Sequence, residues 1–283
     1  ENKDNIELFL DIFLEDDDGF VVYINGNPIC NRFIKPDAQF NEVSKPVRQG
    51  LYYRRYRCLD KSIFNPGENT IAVEVHRSGT ADNTFAFDMD LGYYSPEEFD
   101  IIKGPVLQNT TPFSTSIVCE LLFPGTTRLF YREKGKNDWN SVKTKKSSLI
   151  STLRIKNLNP DTEYEYYMEA YYNNNGKSIV RKSDIYKFKT FPEKERAFSF
   201  IVIGDSRTRT DVFSKVCERL SELKNPEFEF IVHTGDLISR GRYYERWAKE
   251  FFIPSNNLFA KKPIWIAIGN HEDNTPFYYD FFD

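Results

Sequence analysis

The stretch FEFIVHTGDLISRG, residues 228–241, combines a strand-like run, apolar at Phe228, Phe230, Ile231 and Val232, with an abrupt polar ending. A run without alternation is typical of a strand that is buried on both faces of a parallel sheet. Gly235 follows the run, and a glycine permits the sharp backbone turn that brings the next side chain to the edge of the sheet. The stretch therefore predicts a buried strand, with Asp236 at its carboxyl end.

Two further stretches repeat this pattern on either side. They read AFSFIVIGDSR over residues 197–207 and PIWIAIGNHE over residues 263–272. Apolar residues at helical spacing separate the three runs, over residues 211–224 and 242–252. The order β-α-β-α-β predicts a parallel sheet with right-handed crossovers. Because functional sites form at the carboxyl ends of parallel strands, we expect the polar residues after the three runs to meet.

The residues predicted to meet have the chemistry of metal ligands. Carboxylate and amide oxygens together with imidazole suit divalent cations, and the chain offers Asp205, Asp236, Asn270 and His271. A single Gly-Asp pair is a weak signal, because an aspartate after a strand commonly caps a turn or a helix. Three such motifs in order, each roughly one strand–helix–strand unit apart, are a specific signal.

The motifs GDSR, GDLISRG and GNHE resemble the first half of the calcineurin-like metallophosphoesterases, and the sandwich in front of them resembles the purple acid phosphatase arrangement. The resemblance implies hydrolysis of phosphate esters by a hydroxide that two metal ions activate, with iron, zinc or manganese as candidates. It implies that Asp236 bridges both metals, that Asp205 binds one and that Asn270 binds the other. His271 would stabilise or protonate the leaving oxygen.

The chain departs from the family pattern at two positions. Many relatives have a histidine where this chain has Arg207, and purple acid phosphatases have a tyrosine where it has Ser239. Arg207 is interpreted either as a catalytic residue that holds the substrate phosphate or as a surface arginine near a strand end. His233, inside the apolar run, is interpreted as a core or supporting residue.

The family takes further histidine ligands from later motifs, and no histidine follows His271 in this sequence. We therefore expect the chain to be a piece of a longer protein at both ends, and to be inactive by itself.

The first segment, residues 1–103, is predicted to be a β-sandwich because apolar and polar residues alternate in several short runs. Its runs resemble galactose-binding-like jelly rolls, which implies either glycan binding or packing against a neighbouring domain. Residues 16–18 are three aspartates that form either a solvated turn or a Ca²⁺ site. Cys30 and Cys58 are a possible disulfide pair that the sequence does not decide.

The middle segment, residues 104–191, shows strand after strand, and two separate strands are predicted over residues 116–123 and 127–133. Its stretch LNPDTEYEY, residues 158–166, resembles fibronectin type III domains, which hold a tyrosine at one corner by a backbone hydrogen bond. The predicted fold is thus multidomain: two all-β sandwiches, residues 1–103 and 104–191, precede a truncated α/β metallophosphoesterase domain, residues 192–283. Both boundaries coincide with prolines and with a change in charge, from acidic to basic to weakly acidic.

Composition excludes several classes of function. The net charge of -4 argues against a nucleic-acid partner, although a nuclease of the same family stays open. No apolar run has the roughly 20 residues of a membrane span, and no His-Glu-x-x-His motif indicates a zinc protease. The alternative to a phosphoesterase is a non-catalytic extracellular protein that binds glycans or proteins and carries a remnant domain. Domain resemblance favours the secretory pathway or the cell exterior, although no signal peptide is visible.

Overall fold

A computed structural model describes residues 6–14, 18–44, 52–57, 59–78, 87–223 and 228–282. The chain divides into two compact units, Glu1–Pro96 and Glu97–Asp283. The predicted fold class is confirmed, with β-sandwich structure followed by a parallel α/β segment. The exact boundaries of three domains stay a prediction. No helix within the described ranges is long and apolar enough to cross a membrane.

The first unit contains two antiparallel three-stranded sheets, with strand orders β4-β1-β6 and β3-β2-β5. Its strands are β1 (Glu7–Leu14), β2 (Gly19–Ile24), β3 (Asn27–Arg32), β4 (Tyr52–Arg57), β5 (Ile71–His76) and β6 (Phe87–Tyr94). Leu10, Ile12 and Leu14 alternate along β1 and are fully buried, as period 2 predicts. Asp18 accepts a hydrogen bond from the Ser78 backbone at 2.8 Å. The rest of the predicted Ca²⁺ turn and Cys58 lie outside the described residues.

The second unit begins with a seven-stranded β-sandwich. Its strands are β7 (Ile101–Gln108), β8 (Ser114–Glu133), β9 (Asn140–Lys143), β10 (Ser148–Lys156), β11 (Glu163–Asn174), β12 (Lys177–Lys182) and β13 (Tyr186–Lys189). The sequence predicted two strands, at 116–123 and 127–133, and this was wrong because β8 is continuous. Its first half pairs with β7 and β10, and its second half pairs with β9 and β11. Such a strand changes layers by bending, so Pro124 and Gly125 mark a bend and not a turn.

The predicted tyrosine corner is present. The Asn159 backbone N–H donates to the Tyr164 hydroxyl at 2.9 Å, and Tyr164 is buried. This bond fixes the start of β11 against the preceding loop, as in the fibronectin-like sandwich that the sequence resembles.

A parallel sheet in the order β14-β15-β16 follows the sandwich. Its elements are β14 (Phe200–Ile203), α1 (Thr210–Glu222), β15 (Phe230–His233), α2 (Tyr244–Arg246), a π-helical segment (Trp247–Phe252), α3 (Ile253–Phe259), β16 (Ile264–Ile266) and α4 (Pro276–Phe281). The helix predicted over 242–252 begins two residues later and continues to Phe259. Pro254 lies in the first turn of α3, directly after the π-helical segment, where a proline is tolerated.

The sheet packs on one face against the helices and against the sandwich. Phe213, Phe251 and Trp247 lie in this core together with Val106 and Val118 of the sandwich. Two hydrogen bonds also join the sandwich to the α/β segment. The Tyr166 hydroxyl donates to the Ala260 carbonyl at 2.6 Å, and Gln108 Nε2 donates to the Phe281 carbonyl at 2.7 Å. Phe200 and Val202 of β14 are exposed, and so is Phe198, which precedes the strand.

Candidate functional site

The loops that follow the three parallel strands contact one another, as the motif order predicts. The register pairs Ile203 with His233 and His233 with Ile266, so the three strands end at the same level. The Asp205 N–H donates to the Gly235 carbonyl at 3.2 Å. The third loop reaches the second directly, because the His271 N–H donates to Asp236 Oδ1 at 3.1 Å.

The backbone at this edge has conformations that only a few residue types adopt readily. Asp205 and Asp236 have φ angles of 50° and 59°, in the left-handed region, which for non-glycine residues is uncommon and clusters at functional sites. Gly269 lies against Asp236 so closely that an added Cβ would overlap the Asp236 side chain and backbone. The glycine of the GNHE motif therefore serves the close approach of the second and third loops.

Arg207 lies between the two carboxylates. Its Nη1 is 2.9 Å from Asp236 Oδ2, and its Nη2 is 3.3 Å from Asp205 Oδ1. Asp205 is exposed at 73% of its side chain, whereas Asp236 is exposed at only 14%, so the guanidinium joins an open carboxylate to a sheltered one. Nη1 is buried and makes no aligned hydrogen bond, so its contact with Asp236 is an ion pair held by charge.

His271 is oriented by the backbone of the second loop. Its Nδ1 lies 2.7 Å from the Ser239 carbonyl oxygen. A carbonyl oxygen only accepts hydrogen bonds, so Nδ1 carries a proton and Nε2 is the atom that can exchange one.

The Ser239 side chain points to other partners. Its hydroxyl donates to Glu250 Oε1 at 2.9 Å and accepts from Arg246, and its N–H donates to Glu250 Oε2 at 2.6 Å. Ser239 is therefore engaged with the helical segment that follows the loop. Where a purple acid phosphatase has a tyrosine, this chain uses the position to anchor the second loop.

Glu272 is a supporting residue whose role the sequence motif did not predict. Its side chain is fully buried and accepts from the N–H groups of Asp236 at 2.9 Å, Leu237 at 2.7 Å and Gly269 at 2.6 Å. One carboxylate thus ties the second loop to the third. An acidic residue at the end of the GNHE motif was the available signal, but sequence does not show which donors it meets.

His233 has the supporting position that was predicted for it. It is fully buried, accepts from the Gly235 N–H through Nδ1 at 3.2 Å, and faces the Ser206 hydroxyl through Nε2 at 3.0 Å. Because Nδ1 is an acceptor, Nε2 carries the proton and donates to Ser206. Burial lowers the pKa of His233 to about 4, with a smaller opposing effect from Asp236, so the ring is neutral and links the first two loops.

Asn270 begins the turn Asn270–Glu272 and is exposed beside His271. Within the part of the chain that the structure describes, no hydrogen bond joins its side chain to Asp205, Asp236 or Arg207. The structure thus brings Asp205, Arg207, Asp236 and His271 together and leaves the Asn270 amide open to solvent.

The donor chemistry fits a divalent cation, since carboxylate and amide oxygens are the ligands that such ions accept. Asp205, Asp236 and Asn270 supply them, whereas the Glu272 carboxylate is already used by three N–H donors. Among the described residues, no group of three or more His, Cys, Asp or Glu side chains is arranged around one metal position.

Comparison with known proteins gives a match for the last segment only to a family model. Residues 198–283 match the family model of the calcineurin-like phosphoesterases. No curated protein sequence matches the chain.

Similar solved structures include three of different kinds. A purple acid phosphatase from yellow lupin seeds shares 15% identity over 90% of this chain and 52% of its own, with a TM-score of 0.49. A structure of PhoD shares 11% identity over 60% of this chain and 39% of its own, with a TM-score of 0.47. A human fibronectin type-III domain shares 20% identity over 32% of this chain and 84% of its own, with a TM-score of 0.26. The chain thus spans about half the length of the purple acid phosphatase.

Proposed function

We propose, from the premise that residues 198–283 belong to the calcineurin-like phosphoesterase family, that they form part of a metal-dependent centre that hydrolyses phosphate esters. The observation that carries the proposal is the convergence of Asp205, Asp236 and His271 from the ends of three adjacent parallel strands. Because this edge of a parallel sheet is where ligands bind, the convergence supports a functional site.

The proposed cation ligands are the oxygens of Asp205, Asp236 and Asn270. Two ions are proposed, of iron, zinc or manganese, with Asp236 shared between them. When bound, such ions supply Lewis-acid chemistry at phosphate oxygens and activate water. The 14% exposure of Asp236 supports its central role, because a sheltered carboxylate attracts a cation more strongly than an exposed one does.

His271 is proposed to act on the leaving-group oxygen. Its Nδ1–H bond to the Ser239 carbonyl orients the ring, which leaves Nε2 to give a proton to the departing alkoxide. Glu272 and Gly269 hold the loop that carries His271 against Asp236, so they are proposed as positioning residues.

The test is Mn²⁺-dependent hydrolysis of p-nitrophenyl phosphate and bis(p-nitrophenyl) phosphate by the full-length protein. We expect Asp236→Asn to reduce turnover by a factor of about a hundred or more, which is typical for the loss of a positioned catalytic group. The matched control is Asp211→Asn, an exposed aspartate of α1 that pairs with Arg209. Turnover that resists both chelation and Asp236→Asn would refute the proposal.

The second candidate is a non-catalytic binding protein with a remnant domain. The observation in its favour is the ion pairing of Arg207 with both carboxylates, because a guanidinium there opposes a metal ion. A folded full-length protein that hydrolyses neither ester with any of the three metals would favour this candidate.

Placement in the secretory pathway or outside the cell also remains part of the proposal. Glycan binding by the first segment has no support from these comparisons and stays a prediction.

A further inference from the structure

The cation that the structure already holds at the two carboxylates is Arg207. An arginine side chain stays protonated at any pH that proteins tolerate, so its charge is always present. With one nitrogen 2.9 Å from Asp236 and another 3.3 Å from Asp205, it partly neutralises two acidic groups that would otherwise repel each other. The two carboxylates are therefore stabilised by a residue of the chain itself.

The same contacts show that the guanidinium can be displaced. An arginine in a bidentate pair makes two parallel hydrogen bonds to one carboxylate. In Arg207, by contrast, each of the two terminal nitrogens lies near a different carboxylate. Its buried Nη1 lacks an aligned hydrogen bond altogether. The interaction with Asp236 thus depends on charge, and another cation can provide charge equally well.

We propose that Arg207 is a built-in competitor of the divalent cation, and that its release from Asp205 and Asp236 accompanies cation binding. The proposal rests on the cation site described under the proposed function. It assigns Arg207 a role in setting cation affinity, so that binding requires a higher cation concentration than it would without these ion pairs. Arg207 then weakens cation binding instead of contributing to it.

The competition predicts opposite effects of Arg207→Ala with and without metal. In EDTA the variant should be less stable than wild type, because Asp205 and Asp236 lose their counter-charge. In Mn²⁺ it should bind the ion about tenfold more tightly or better, since no ion pair has to be broken first. A merely structural arginine would produce the first effect without the second.

The experiment is isothermal titration calorimetry of Mn²⁺ into the full-length protein, together with thermal denaturation in EDTA and in Mn²⁺. Arg209→Ala is the matched control, because Arg209 lies in the same loop, carries the same charge and forms an ion pair with the exposed Asp211. Asp236→Asn tests whether the titrated site is this one. We expect tighter binding and a larger Mn²⁺-induced rise in Tm for Arg207→Ala than for wild type or Arg209→Ala.

The outcomes separate the two proposals. Equal or weaker Mn²⁺ binding by Arg207→Ala, in a protein whose binding Asp236→Asn abolishes, overturns the competition and leaves the phosphoesterase proposal standing. The same gain in Arg207→Ala and Arg209→Ala also overturns the competition, because it indicates a general effect of charge. Absence of Mn²⁺ binding in wild type and in Arg207→Ala overturns both proposals.

Discussion

Glu272→Gln should loosen the two loops that carry Asp236 and His271. The wild-type carboxylate accepts three backbone N–H groups and is fully buried. A glutamine has nearly the same shape, but its NH₂ group cannot accept. At best its oxygen keeps the bonds from Asp236 and Gly269, and the N–H of buried Leu237 loses its acceptor.

The magnitude follows from these three bonds. A buried donor without a partner costs about 1–3 kcal/mol, and each bond that changes from a charged to a neutral acceptor loses about 0.5–1 kcal/mol. The sum is about 3 kcal/mol of local stability. Since each 1.4 kcal/mol is a factor of ten, opening of the loops should become roughly a hundredfold more frequent.

The assay is hydrogen exchange followed by mass spectrometry, with peptides that cover residues 235–241 and 266–272. We expect faster exchange there and little change in the sandwich. Glu245→Gln is the control, because it makes the same chemical change at an exposed position of α2. The reasoning is refuted if the two loops exchange at the wild-type rate, or if protection is lost uniformly through the second unit.

Three further changes test other parts of the second unit, which contains all three tryptophans and can be followed by their fluorescence. Burial lowers the pKa of His233 to about 4, so between pH 7 and pH 5 the histidine takes up a proton in the unfolded chain, where its pKa is about 6.5, but not in the folded chain. The free energy of unfolding should therefore fall by about 2 kcal/mol over this range. His233→Gln should remove this difference in urea midpoints, and an unchanged pH dependence would contradict the assignment. Lys103→Met should lower the free energy of unfolding by about 3 kcal/mol, because it leaves the fully buried Glu120 without its lysine. The double variant Lys103→Met/Glu120→Leu should recover most of this loss, and equal losses in both variants would argue against a buried ion pair. Tyr166→Phe should cost about 1 kcal/mol through the lost bond to Ala260, and no change in the urea midpoint would count against that contact.

Much of the fold could be predicted from residue patterns because those patterns reflect local geometry. Alternation in β1 matched its buried residues, and the continuous apolar runs became the parallel strands β14, β15 and β16. The pattern around Tyr164 predicted its backbone hydrogen bond. These features depend on period 2, on helical spacing and on turn chemistry, which are properties of short segments.

The prediction failed where distant partners decide the outcome. The sequence predicted a break between two strands at Pro124 and Gly125. β8 is nevertheless continuous, because each of its halves pairs with different neighbouring strands. Glu272 read as the end of a motif, and its role depends on three N–H groups from two loops. The engagement of Ser239 with Glu250 likewise required the position of the following helical segment.

The sequence by itself determined which polar residues follow which strands, and therefore that Asp205, Asp236, Asn270 and His271 belong to one edge of one sheet. The order of motifs is sufficient for that, because strand direction follows from β-α-β connectivity. Only the tertiary structure decided what these residues contact. Arg207 was interpreted as a phosphate ligand or a surface residue, and it lies between two carboxylates from different loops. Ion pairs of this kind depend on distances across loops of no fixed period, so no local pattern of residues encodes them.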